Sequence, residues 1–211
     1  MKRHRIFIAI NPPQDIQQEL FAVTNEWREL PIRWTKPENI HITLHFMGNV
    51  DDDTLAHIAE VLPLAAEGIE QFEIVLSRIG IGPEKGKKRM VWADGEAPKE
   101  LAQLQQQVQE AVENRSHVLE NVGMSDDNGE RSFVVVDPER SRGSRLSPGK
   151  PFRFHVTLGR MIPFKWNRLQ PVPHIARDIN TTFPVSSVEL MESELGPGGP
   201  MYTILSSVEL P

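Results

Sequence analysis

His41-Ile42-Thr43-Leu44 and His155-Val156-Thr157-Leu158 are the two stretches on which the fold of this chain turns. Both read as strand, and along a strand successive side chains alternate between faces. His41 and Thr43 therefore project one way while Ile42 and Leu44 project the other. His155 and Thr157 repeat the arrangement against Val156 and Leu158. Each strand carries a polar pair above an apolar floor, and the echo predicts two related halves. Packed about a pseudo-twofold axis, such halves would bring two imidazoles and two hydroxyls around one cleft. Seven histidines and eight threonines in this length predict roughly 0.3 chance occurrences of a single His-x-Thr pattern, so one copy means little and two in matching strand contexts mean much more.

Outward from the motifs, the pattern is mixed β and α. Arg3 to Ile10 reads as a first strand that reaches Pro12-Pro13. Ile16, Leu20, Val23 and Trp27 then recur at helical spacing, which predicts a helix from about Pro13 to Arg28. Asn39 to Met47 reads as a strand. Asp51 or Asp53 can cap a second helix carrying Leu55, Ile58 and Leu62, which Pro63 is expected to kink or end. Strands are expected at Phe72 to Ile81 and Met90 to Ala93, and a third helix from Pro98 to about Asn114 with Leu101, Leu104, Val108 and Val112 on one face. Residues 115–150, rich in Ser, Asn, Asp, Gly, Arg and Pro, read as an inserted loop holding one short strand at Phe133 to Val136. Strands at Phe154 to Arg160, Phe183 to Met191 and Met201 to Leu210 follow, the first two separated by a Pro-rich connection.

Composition narrows the chemistry. The absence of cysteine excludes disulfides, thiolate catalysis and sulfur-ligated zinc. No apolar run is long enough to span a bilayer, and the N-terminal run is too short for a signal peptide, so the expectation is a cytoplasmic protein with no membrane partner. A net charge of −6 argues against gripping long nucleic acid through a broad basic field. A nucleic-acid ligand would be met at one small site, bordered by one of two basic clusters, Lys85/Lys87/Lys88/Arg89 or Arg140/Arg142/Arg145/Lys150/Arg153.

An imidazole pair can supply a base and an acid in the same turnover, because an unperturbed pKa near 6.5 lets one ring be neutral and the other protonated. Phosphodiester cleavage needs that division of labour. Thr43 and Thr157 can donate hydrogen bonds to phosphate oxygens as charge builds on them, and no metal or other cofactor is then required. His45 shares His41's face by strict alternation, but about 13 Å of strand separates them, too far to share a metal. Arg160 could meet a phosphate, although alternation turns it away from His155 unless the strand bulges. Trp34 and Tyr202 are candidates for stacking on a base. His4, His57, His117 and His174 read as structural or surface residues.

The paired His-x-Thr-x motifs, with Arg33-Trp34-Thr35-Lys36-Pro37-Glu38-Asn39-Ile40 before the first and Leu195-Gly196-Pro197-Gly198-Gly199-Pro200-Met201-Tyr202-Thr203 near the C-terminus, resemble the 2H phosphoesterase superfamily. The resemblance is to its RNA 2′,3′-cyclic phosphodiesterase branch, once called 2′-5′ RNA ligases. It runs from Arg5 to Leu205 and lapses chiefly in the 115–150 insertion. It implies an α+β, bilobal fold with two antiparallel sheets facing a central cleft, helices outside and a pseudo-twofold axis, forming a single catalytic domain over residues 1–211. It implies that His41 is the proton donor and His155 the proton acceptor, roles the residues alone do not distinguish. The substrates implied are RNA ends or small nucleotides bearing a cyclic phosphate, met by a monomer. Two other readings stay open: a 2H enzyme that hydrolyses or ligates 2′-5′ linkages or opens small cyclic phosphates, and a non-catalytic nucleotide- or RNA-binding module.

Overall fold

Consecutive apolar residues from Ile6 to Ile10 make β1 (His4–Ile10) a strand buried on both faces. The structure is a computed structural model that describes residues 2–83, 87–119, 152–197 and 199–211. Ile6, Ile8 and Ile10 enter the main core, where each contributes about 1.5–3 kcal/mol relative to exposure. Phe7 and Ala9 point to the opposite face and join Met191 beneath a half-buried Tyr202. One face of the sheet thus meets the helices and the other forms the floor of a cleft.

The elements follow as α1 (Gln14–Val23), β2 (Ile32–Trp34), β3 (Ile42–Val50), α2 (Asp52–Ala66), β4 (Phe72–Gly82), β5 (Met90–Asp94) and α3 (Lys99–Leu119). The second half continues with β6 (Val156–Met161), α4 (Pro163–Trp166), β7 (Ala176–Val185), β8 (Ser187–Gly196) and β9 (Gly199–Glu209). A 3-10 turn over Thr24–Trp27 extends α1 and completes the expected first helix. Asp51 caps α2 by accepting from the Thr54 amide at 2.9 Å, and hydrogen bonding to the Thr54 side chain and then to its amide holds the Asp51 carboxyl below the usual range. Pro63 does not end that helix at once. It lies on the exposed side, and the helix runs on until Ala65 and Ala66 are buried. The third helix runs past Asn114 to Leu119. The remainder of the 115–150 insertion, including the expected strand at Phe133 to Val136, lies outside the described residues.

The strands pair in the order β7-β4-β5-β6-β3-β1-β8-β9, with β2 added on β6, and every pairing among the described residues is antiparallel. This order is two sets of four, β3-β1-β8-β9 and β6-β5-β4-β7, each with a His-x-Thr strand at the middle of the molecule. Among the described residues the sets meet at one bridge, Ile42 with Val156, so the two expected sheets join into one curled sheet. The helices cross over. α1 follows β1 but lies against the other set, where Glu19 accepts from the Thr181 hydroxyl on β7 at 2.7 Å and Glu26 pairs with Arg177. α3 precedes β6 but packs on α2 and β3. Neither half can therefore open without exposing the core of the other.

The N-terminal strand is tied at its start by His4, whose two ring nitrogens meet Glu192 on β8 at 2.7 Å and Asp52 on α2 at 3.0 Å. The hydrogen bonds to Asp52 and then Glu192 raise this histidine's pKa, so it acts as a structural clasp.

Candidate active site

A β-bulge in each motif strand shapes the cleft. In the β1–β3 ladder Ile8 pairs with His45 and Ala9 with Thr43, leaving Leu44 as the extra residue. In the β5–β6 ladder Val91 pairs with Gly159 and Trp92 with Thr157, leaving Leu158 as the extra residue. An extra residue shifts the alternation by one, so the side chain three positions past each motif threonine returns to the threonine's face. Arg160 therefore rejoins Thr157 on the cleft side, and Phe46 rejoins Thr43. The burial sequence is the same in both strands: Val156, Leu158, Gly159 and Met161 are buried around an open Arg160, as Ile42, Leu44, His45 and Met47 are around an open Phe46.

The bulge also corrects the expected position of His45. It does not share the face of His41 but is turned into the core, 6% exposed, where its Nε2 has no hydrogen-bond partner among the described residues. Burial holds its pKa down. Its counterpart Gly159 leaves room for β2, because a Cβ there would come within 2.6 Å of Ile32 and 2.8 Å of the Trp34 ring. Gly159→Ala is expected to cost about 1–3 kcal/mol by overpacking, measured as a fall in the chemical-denaturation midpoint. This contact places Trp34 against the core and Gly159, away from the residues that line the cleft.

The cleft has a volume of about 260 Å³, and its walls bring together His41, Thr43, His155, Thr157, Arg160 and Tyr202 from distant parts of the chain. Arg5, Phe7, Thr35, Asn39, Phe46, Met90 and Ser193 complete the lining. Among the described residues two arginines and no carboxylate line it, which makes a cationic hollow suited to one phosphate in an acidic protein. Sequence reading missed Arg5 and Phe46. Arg5 lies 4.9 Å over the Phe46 ring, a contact between neighbouring strands that no local pattern announces.

The two histidines are held alike. His41 Nδ1 lies 2.8 Å from the Asn39 carbonyl and His155 Nδ1 lies 2.8 Å from the Arg153 carbonyl, in each case two residues back. A carbonyl only accepts, so both rings carry their proton on Nδ1 when neutral and present Nε2 as the working nitrogen. His41 Nε2 is 2.9 Å from Thr43 Oγ1, so the hydroxyl donates to the neutral ring. Extending the Ile42–Val156 register by one residue either way sets His41 across from Thr157 and Thr43 across from His155.

Aromatic rings fix both imidazoles in place. His41 packs against Phe7 at 4.9 Å and edge-on to Tyr202 at 5.2 Å, while His155 lies 4.0 Å from the Trp92 ring. Asn39 Nδ2 donates to the Pro200 carbonyl at 2.9 Å and so ties the residue behind His41 to the strand that carries Tyr202. Burial lowers the pKa of both histidines against the opposing pull of their carbonyl partners. Nearby positive charge lowers them further, from His155 and Arg160 on His41 and from Arg153 and Arg160 on His155. Among the described residues no three side chains of His, Cys, Asp or Glu form a metal-binding group, and no helix is long and apolar enough to cross a membrane.

Comparison with known proteins agrees with this architecture. Residues 10–92 match the family described as LigT like Phosphoesterase. The chain is 26% identical over 203 residues to a Methanothermobacter thermautotrophicus protein named RNA 2′,3′-cyclic phosphodiesterase, covering 94% of this chain and 95% of that one. A protein of the same name from Archaeoglobus fulgidus is 27% identical over 211 residues, with 97% and 99% covered. Among solved structures, E. coli LigT complexed with 3′-AMP superposes with a TM-score of 0.67 at 22% identity, over 99% of each chain, and at that identity the likeness is one of fold. The resemblance to the 2H phosphoesterases carried by the paired motifs thus holds in both sequence and fold.

Proposed function

We propose, for a chain with the motifs and fold of the LigT-like phosphoesterases, that it hydrolyses 2′,3′-cyclic phosphate ends of RNA to 2′-phosphomonoesters by histidine acid-base catalysis. The observation that carries this reading is the matched pair of imidazoles, each held by a backbone carbonyl so that its Nε2 serves one cationic cleft. Binding alone needs no such pair. In this reading His155 Nε2 takes a proton from water as the oxygen attacks phosphorus, and His41 Nε2 gives its proton to the departing O3′. One P–O bond forms and one breaks, and the product carries its phosphate on O2′. Thr43, Thr157 and Arg160 donate to the non-bridging oxygens, whose charge grows in the transition state. The names of the relatives support a phosphoesterase activity of this kind.

Burial and neighbouring positive charge favour neutral histidines, so His41 gains its proton as the anionic phosphate arrives. Opposite charge favours the protonated ring, and anion binding therefore strengthens as pH falls. The test is a product assay on RNA ending in a 2′,3′-cyclic phosphate, run beside a 2′-5′ linked oligonucleotide and with excess chelator. The expected product is a 2′-phosphate that resists a 3′-specific nucleotidase, formed at an unchanged rate in EDTA, with internal 3′-5′ linkages intact. A 3′-phosphate, shortened RNA, or loss in EDTA reversed by a divalent ion would each overturn the mechanism.

A further inference from the structure

A second hollow opens at the ends of the strands that carry Met90 and Arg160. It has a volume of about 560 Å³, and Lys87, Lys88, Arg89, Met161, Trp166 and Asn167 line it together with Pro163. It adjoins the catalytic cleft through two pairs of consecutive residues. Met90 lines the cleft and Arg89 the hollow, while Arg160 lines the cleft and Met161 the hollow. The Met161 amide donates to the Arg89 carbonyl at 2.9 Å, which holds the two strand ends as one rim. The two hollows thus meet at the shared ends of β5 and β6.

Its chemistry departs from that of the chain as a whole. The protein carries a net charge of −6, yet Lys87, Lys88 and Arg89 are all exposed and have no ion-pair partner among the described residues. The facing segment, from Arg160 to Arg177, contains Lys165 and Arg168 and no carboxylate. Trp166 is half-buried, packed against the core, and lines the hollow together with Asn167. Cations for phosphates, an aromatic face for a base and an amide for a base edge are what single-stranded RNA selects.

We infer that this hollow binds the RNA strand on the 5′ side of the cyclic end, making oligonucleotide ends better substrates than free cyclic nucleotides. The inference rests on the catalytic reading above for what occupies the cleft, but it can be measured apart from it. The variant is Lys87→Glu/Lys88→Glu, at two exposed positions whose change leaves the core untouched. Its kcat/KM is to be compared with wild type on a short RNA ending in a 2′,3′-cyclic phosphate and on a mononucleoside 2′,3′-cyclic phosphate. The loss on the oligonucleotide is expected to exceed the loss on the mononucleotide by about tenfold. The slope of log affinity against log salt, from fluorescence anisotropy with a labelled 3′-hydroxyl RNA, is expected to fall by about 1.4. Equal effects on the two substrates, or an unchanged salt slope, would overturn the inference. Should wild type turn over neither substrate, the catalytic reading fails, and the anisotropy comparison alone decides for or against the surface.

Discussion

Replacing His41 or His155 with alanine is expected to lower kcat by about 10²–10⁴ on a cyclic-phosphate RNA end, the usual worth of one positioned general acid or base. The fold should survive, because each ring is only partly buried and its Nε2 serves the cleft. Two further results separate catalysis from mere structure. The double variant should be little worse than either single one, since a base without its acid gains nothing from the other. The pH dependence of kcat/KM should be bell-shaped in the wild type, with both limbs belonging to the coupled pair. Burial and neighbouring positive charge lower both pKa values, so the bell should be displaced to the acid side of 6.5, the ordinary histidine value. The acid limb reports the base becoming protonated, and the alkaline limb reports the acid losing its proton. His155→Ala should therefore abolish the acid limb and His41→Ala the alkaline limb. Near wild-type turnover in either variant removes the site assignment, and exchanged limbs would reverse the two roles.

Loss of the guanidinium in Arg160→Ala is expected to lower kcat/KM by about 10²–10³, the cost of removing one charged donor from a developing oxyanion. Arg160 lines the cleft with both histidines, and its charge depresses the pKa of each. Its removal should thus move both limbs of the pH profile toward higher pH as it lowers the rate. A residue that merely packs on the rim would leave the limbs where they are. Arg160→Lys should recover the position of the limbs but only part of the rate, because an ammonium keeps the charge and loses the fork that meets two phosphate oxygens. Unchanged kcat/KM in Arg160→Ala would exclude a phosphate contact.

Arg160 also marks how far sequence reading reaches. Strict alternation turned it away from His155, and the bulge at Leu158 turned it back. The matching bulge at Leu44 carried His45 from the expected cleft face into the core and left Phe46 in its place. Neither bulge leaves a glycine or proline signal at its own position, because the extra residue is forced by pairing with a partner strand far away in sequence. The C-terminal strands were blurred for a related reason. β7 hides within a polar, proline-bearing stretch, since an edge strand tolerates Pro184 and alternates buried Thr181, Phe183 and Val185 with open neighbours. The reading from Phe183 to Met191 therefore ran two strands together across Ser186.

By itself the sequence determined what depends on neighbours along the chain. Helical spacing placed α1 and α3, the cap of α2 was narrowed to Asp51 or Asp53, and the repeated His-x-Thr pattern identified the pairs that line the cleft. The tertiary structure alone decided what depends on register across the chain. The Ile42–Val156 bridge set the two motifs against each other, the paired bulges chose which side chains joined them, and β2 on Gly159 drew Trp34 toward the core. A side chain's identity travels with its position in the chain, but the face it occupies in a sheet is set by hydrogen bonds to strands remote in sequence, and one extra residue reverses it.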